Sequence, residues 1–271
     1  MFFDALEKEL KIRNFSQRTV TAYLYYNRDL VKYCRKGPTM IAESDIKDYL
    51  WYLLDQRHVS AATARLAMNA IKFYYRGVKK RRFYFSFGLP RGEKRLPVVL
   101  SKAEVVAILD SIANVKHKLI ISLMYSAGLR VSEVVVLKPE DFDLDTKVLW
   151  VRQGKGKKDR QTILAGRVIN ELRQQLLAVP VGHYVFKGQR PGRHLTTRSV
   201  EKVFQRALDL AGVKKQATCH SLRHSFATHL LESGVDAVYI QKLLGHRRLE
   251  TTLIYARIAS SFVGKITSPY D

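Results

Sequence analysis

Cysteine is scarce in this sequence: Cys34 and Cys219 are the only two among 271 residues, far apart and outside any CxxC spacing. That excludes a disulfide framework and a cysteine-based zinc site, and makes reduced thiols the expectation. Acids are also few. Asp and Glu number 24 against 47 Lys and Arg, for a formal charge of +23. The self-repulsion of such an excess opposes a compact state, and a polyanionic partner would relieve it. Long apolar runs are missing: LIISLMY at 119–125 falls well short of the ~20 residues a spanning helix needs, so no membrane segment is expected. The opening MFFDALEKEL carries acids in its first turns and is not a basic region followed by an apolar stretch and a small-residue cleavage site, so a cytoplasmic protein is the expectation.

What is present suits a folded chain. Hydrophobic residues make up 46%, and the length sits between one large core and two domains of ordinary size. The positive charge is spread along the whole chain. Residues 1–90 hold 17 Lys and Arg against 8 Asp and Glu, or +9, which leaves +14 of the +23 for the remainder. Both parts therefore look built to touch phosphates.

Residues 1–87 read as helices. FSQRTVTAYLYYNRDLVKYCRK follows a cap at Ser16 and keeps Val20, Leu24, Leu30 and Val31 at helical spacing; a later helix starts after Ser60 and is expected to stop at Gly77. From Lys79 to Leu100 a basic run mixes with aromatics and is punctuated by Gly88, Pro90, Gly92 and Pro97, which places a linker at 88–97 and a second domain over 98–271. That domain opens with the capping-box pattern Ser101 to Glu104. KVLWVRQ and RQTILA flank GKGKKD as a hairpin with a basic tip, and helices return from Thr196, one of them capped by Asp236. The expected fold is mainly α with a small antiparallel β-sheet, in two domains.

HSLRH at 220–224 can be read as a metal pair, as packed core histidines or as the wall of a phosphate pocket. Turning each residue by about 100° puts Arg223 and His224 on either side of His220, with His229 on the opposite face. A zinc reading lacks an acid between His220 and Glu232 and sets a cation beside the metal; packing suits His224 and His229. GLRVSE at 128–133, GKGKKDR at 154–160, LGH at 244–246 and TTLIYAR at 251–257 are each a weak signal alone.

Taken in order, GLRVSE, GKGKKDR, HSLRHSFATHLLESG, IQKLLGH and TTLIYAR resemble the tyrosine recombinase (phage-type integrase) family, most of all its Xer-like members, archaeal relatives included. The resemblance spans essentially the whole chain. It implies a helical N-terminal core-binding domain that touches DNA, followed by a catalytic domain. It also implies a set of catalytic residues: Arg130, Lys155, His220, Arg223, His246 and the nucleophile Tyr255, with Glu133 supporting Arg130 and His224 supporting the pocket. No metal and no other cofactor is implied. In this scheme Tyr255 attacks a DNA phosphodiester to give a 3′-phosphotyrosyl link, the arginines and His246 take the growing charge, Lys155 protonates the leaving 5′-oxygen, and His220 orients or deprotonates the phenol. The nine positions between His246 and Tyr255 favour cleavage in cis. Partners by resemblance are a double-stranded DNA recombination site and further copies of the chain, four over two sites, with the tail that holds Ile258, Phe262 and Ile266 docking into a neighbour; an accessory translocase is a further candidate. The implied role is resolving chromosome dimers; the alternatives are a mobile-element integrase, a nicking and rejoining topoisomerase and a non-catalytic DNA-binding protein.

Overall fold

The computed structural model describes residues 3–81, 83, 88–90, 96–152 and 159–256. The chain divides into two compact units, Met1–Arg95 and Leu96–Asp271. Of the segment 88–97 expected as a linker, residues 91–95 lie outside the described residues.

The first unit is helical. Helices α1 (Asp4–Ile12), α2 (Gln17–Cys34), α3 (Glu43–Asp55) and α4 (Ala61–Lys72) bury a stripe each, including Leu6, Leu10, Leu24, Leu30, Ile46, Leu50 and Ile71. The caps fall where short hydroxyl side chains precede the apolar stripe: Ser16 Oγ accepts from Thr19 N–H and Ser60 Oγ from Thr63 N–H, each at 3.2 Å. The last helix does not run in α geometry to Gly77. It changes at Phe73 to a π-helical turn, Phe73–Val78, in which Tyr74 and Tyr75 are buried. Arg81, in the basic run that begins at Lys79, donates Nη1 to the carbonyls of Thr39 and Ile41.

The second unit carries α5 (Lys102–Asp110), α6 (Val115–Ser126), the single turn α7 (Val131–Val134), β1 (Phe142–Asp143), β2 (Val148–Val151), β3 (Arg160–Ile163), α8 (Ile169–Leu177), α9 (Thr197–Leu210), α10 (Cys219–Glu232), α11 (Ala237–Leu244) and α12 (Glu250–Ala256). The capping box at α5 is complete: Ser101 Oγ accepts from Glu104 N–H, and Glu104 Oε2 accepts from Ser101 N–H. The sheet is antiparallel in the order β1-β2-β3, with Leu149 opposite Thr162 and Val151 opposite Arg160. Apolar residues of α5, α6, α9 and the sheet share one core, and Phe226, Leu231, Ile240, Leu244 and Tyr255 form a smaller one where α10, α11 and α12 meet. No described helix is long and apolar enough to cross a membrane.

Candidate active site

A helix leaves its last carbonyls without partners and its C-terminal end partly negative. In this unit such ends receive buried arginines. The α6 helix stops at Gly128, whose φ of +63° suits glycine, and the Gly128 carbonyl accepts from Arg223 Nη1 at 2.6 Å. The α11 helix stops at Gly245, φ +65°; its Leu244 carbonyl accepts from Arg223 Nη2, and its Leu243 carbonyl from Arg160 Nε at 2.8 Å. Both glycines are also clearances. A Cβ on Gly128 would lie 2.5 Å from the Phe226 ring, and one on Gly245 would lie 2.8 Å from Arg160 Cδ.

Glu133 gathers three arginines. Its Oε1 accepts from Arg130 Nη1 at 2.6 Å and Arg160 Nη1 at 2.8 Å; its Oε2 accepts from the Arg130 N–H and Arg160 Nη2, each at 2.8 Å. Arg223 Nη1 stands 3.9 Å away. Burial alone would raise the Glu133 carboxyl, but the hydrogen bonds and charge of Arg160, then those of Arg130, outweigh it and hold the pKa at about 2. Arg223 is 1% exposed. Desolvation, then the Arg130 charge, brings its pKa to about 9 against the opposing pull of Glu133, so it stays protonated at neutral pH. Its Nε is buried with no hydrogen-bond partner among the described residues.

In front of these cations is an open cleft of about 360 Å³, lined among others by Arg130, His220, His224, His246, Thr251 and Tyr255. Tyr255, on α12, is 3% exposed. Burial pushes its phenol pKa up, and the charges of Arg223 and Arg130 oppose that. The Tyr255 hydroxyl lies 3.0 Å from His224 Nδ1, and the His246 ring is stacked on the tyrosine with centroids 6.3 Å apart. His246 Nδ1 is 3.0 Å from Thr252 Oγ1. Desolvation first, then the arginine charges, lowers His246 to about 3; desolvation, His220 and Arg223 lower His224 to about 4; and desolvation with Arg223 and Arg130 lowers His220. All three imidazoles are therefore neutral at pH 7.

The structure thus brings together Arg130, Glu133, His220, Arg223, His224, His246 and Tyr255 of the sequence-derived set. Lys155 lies outside the described residues, as do Ile258, Phe262 and Ile266. His229 faces away from the cleft and pairs Nδ1 with Tyr125 Oη at 2.8 Å. Cys219, next to His220, is buried and its thiol is pushed up to about 12, mainly by desolvation, so it is no thiolate at neutral pH. Among the described residues no group of three or more His, Cys, Asp or Glu is arranged to hold a metal.

Sequence reasoning passed over two features. Arg160 ends the GKGKKDR motif as the first residue of β3, and alternation along that strand puts it on the buried face with Thr162 and Leu164. A cation on a buried strand face needs a partner, which was the available signal. The other is the hydrogen bond of the tyrosine, which is shared with His224 on α10 and not with His220, whose ring meets His224 edge-on at 4.4 Å.

The comparisons with known proteins agree along the chain. A family model described as "Phage integrase family" matches residues 98–261, and one described as "Phage integrase, N-terminal SAM-like domain" matches residues 2–84. A putative integrase/recombinase, y4qK, of Sinorhizobium fredii is 36% identical over 98% of this chain and 87% of its own length. The tyrosine recombinase XerA of Thermococcus kodakarensis is 35% identical over 97% of this chain and 92% of its own. Among solved structures, a XerH site-specific recombinase bound to difH substrate in a pre-cleavage complex matches with a TM-score of 0.65 and 27% identity, over 83% of this chain and 72% of that one.

Proposed function

Since the chain belongs to the phage integrase family and is a site-specific tyrosine recombinase, we propose that it cuts and rejoins duplex DNA through a 3′-phosphotyrosyl intermediate on Tyr255. The observation that carries this reading is the placement of the Tyr255 hydroxyl in a cleft walled by Arg130, His220 and His246 and backed by Arg223. The charge of +23 supports a nucleic-acid partner, as does the DNA-bound state of the related XerH recombinase.

In this mechanism the Tyr255 oxygen attacks the scissile phosphorus in line and the 5′-oxygen departs. The ester bond is exchanged for another ester, so rejoining needs no nucleotide cofactor. Arg130 and Arg223 take the charge that grows on the nonbridging oxygens. The unmatched, buried Nε of Arg223 supports this, since such a donor costs about 1–3 kcal/mol until an acceptor reaches it. His246 donates from Nε2, in the tautomer that results when the Thr252 hydroxyl donates to Nδ1. Lys155 is the acid for the leaving 5′-oxygen. Tyr255 belongs to the same chain as the pocket it occupies, which supports cleavage in cis.

We assign residues 1–87 to core binding on DNA, 88–97 to the linker and 98–271 to catalysis, with four copies over two sites joined by their C-terminal tails. The cellular role we propose is the resolution of chromosome dimers, on the chain's resemblance to Xer recombinases, among them the XerA relative. The integrase/recombinase relative favours mobile-element integration as the second reading. Incubation with a nicked duplex that traps the cleaved strand tests the chemistry: the wild type forms a covalent adduct, Tyr255→Phe forms none, and an adduct in that variant overturns the assignment. Sequencing the DNA trapped in cells separates the roles, because one chromosomal locus supports the first and element ends support the second.

A further inference from the structure

His224 was expected to pack behind the pocket, yet its ring occupies the position that touches the reacting atom. Its Nδ1 stands 3.0 Å from the Tyr255 oxygen, with ring centroids 5.5 Å apart at 51°. The tyrosine is 3% exposed, so little of its surface meets solvent outside the cleft. No other hydrogen bond to that oxygen exists among the described residues. His220, the other candidate base, has its ring against the edge of His224.

We propose that His224 holds the Tyr255 phenol in its resting place and accepts its proton as the strand is cut. The proposal rests on Tyr255 being the nucleophile. The O–H bond of Tyr255 breaks, its proton passes to His224 Nδ1, and the freed electron pair forms the bond from oxygen to phosphorus. The bond from phosphorus to the 5′-oxygen breaks with its pair on that oxygen, which takes a proton from the acid of the pocket. Rejoining reverses each transfer, and the imidazolium returns the proton to the phenol.

The charges facing His224 set the timing. His220, on its own helix, and Arg223, behind it, both oppose a positive charge on this ring, and in the empty pocket the imidazole is a weak base. A scissile phosphate brings one negative charge against the Arg223 cation, and the pentacoordinate transition state brings a second. The basicity of His224 therefore rises as the phosphorus bond forms, so proton transfer accompanies attack and does not precede it. The resting phenol stays protonated, which keeps the nucleophile unreactive until DNA is seated.

The test uses the full chain, a nicked trapping duplex, single-turnover adduct formation and a gel-shift measurement of DNA affinity. His224→Ala is expected to cleave at least ~100-fold more slowly than wild type with affinity unchanged, and added imidazole is expected to recover part of the rate in proportion to its free base. Cleavage within about threefold of wild type, or no response to imidazole, overturns the proposal. If the alanine variant does not fold, His224→Asn and His224→Gln take its place. Asparagine sets an acceptor near the Nδ1 position and glutamine near Nε2, so asparagine is expected to cleave faster; equal rates or the reverse order overturn the proposal. Tyr255→Phe serves as the control. An adduct in that variant defeats the nucleophile assignment itself, whereas its absence together with normal cleavage by His224→Ala defeats only the role given to His224.

Discussion

Arg160 and Glu133 form a forked pair, with Nη1 on one carboxylate oxygen and Nη2 on the other, each at 2.8 Å, and each side chain is 7% exposed. Because Arg160 Nε also holds the Leu243 carbonyl, the pair ties the start of β3 to the end of α11. Glu133 in turn holds the side chain and the N–H of Arg130. The hairpin, the first arginine and the LGH turn are thereby fixed relative to one another by one carboxylate.

Removing that carboxylate leaves three cations facing each other with little solvent. Glu133→Gln is expected to cost about 3–5 kcal/mol, the usual penalty for breaking a buried pair from one side. Arg160→Lys keeps the charge but loses the fork, so it is expected to cost less stability than Glu133→Gln while still lowering cleavage. Urea unfolding and single-turnover cleavage of both variants check the order.

Acid is expected to weaken the second unit in two stages. His224 and His246 are held at about 4 and about 3, below the ordinary 6.5. The unfolded chain therefore binds protons there first, and stability present above pH 6.5 is lost as pH falls toward those values. Glu133, held at about 2 against an ordinary 4.5, gives stability that is present above 4.5 and lost as pH falls through 2. The urea midpoint should drop between pH 7 and 4, and His246→Asn, which does not titrate, should flatten that drop. An unchanged slope in the variant would count against His246 as a contributor.

Gly128→Ala places a methyl group 2.5 Å from the Phe226 ring and 2.9 Å from Leu244 Cδ2 at a φ of +63°. Left-handed strain and overpacking together are expected to cost about 2–4 kcal/mol. The Gly128 carbonyl also anchors Arg223, so DNA affinity should fall along with thermal stability. A melting curve and a gel shift on the same preparation measure both.

Much of the fold was legible because its signals are local. The caps at Ser16, Ser60, Ser101 and Asp236 each hold a backbone N–H a few residues ahead. The change to π geometry at Phe73 was not legible, since Gly77 suggested only where a helix might stop. Strand β1 is two residues long, Phe142–Asp143, too short for alternation to show. In the site, the order of motifs named the arginines, histidines and tyrosine, but their pairings depend on tertiary packing. His224 and Tyr255 are 31 positions apart, and no spacing rule connects a residue on α10 with one on α12. Arg160 lay between these cases: the alternation with Thr162 and Leu164 pointed it inward, but its partner Glu133 was 27 positions away.

The convergence on Glu133 also sets an electrical balance. Three guanidiniums and one carboxylate meet there, and His224 and His246 are held neutral, so this group carries a surplus of two positive charges at neutral pH. A DNA phosphodiester at rest brings one negative charge; the trigonal bipyramid of the proposed attack by the Tyr255 oxygen would bring two. The parity of the cluster is therefore with the fleeting species and not with intact DNA. A site matched in this way gains its strongest attraction at the top of the barrier, where it speeds the reaction, and avoids holding uncut substrate too tightly to release it.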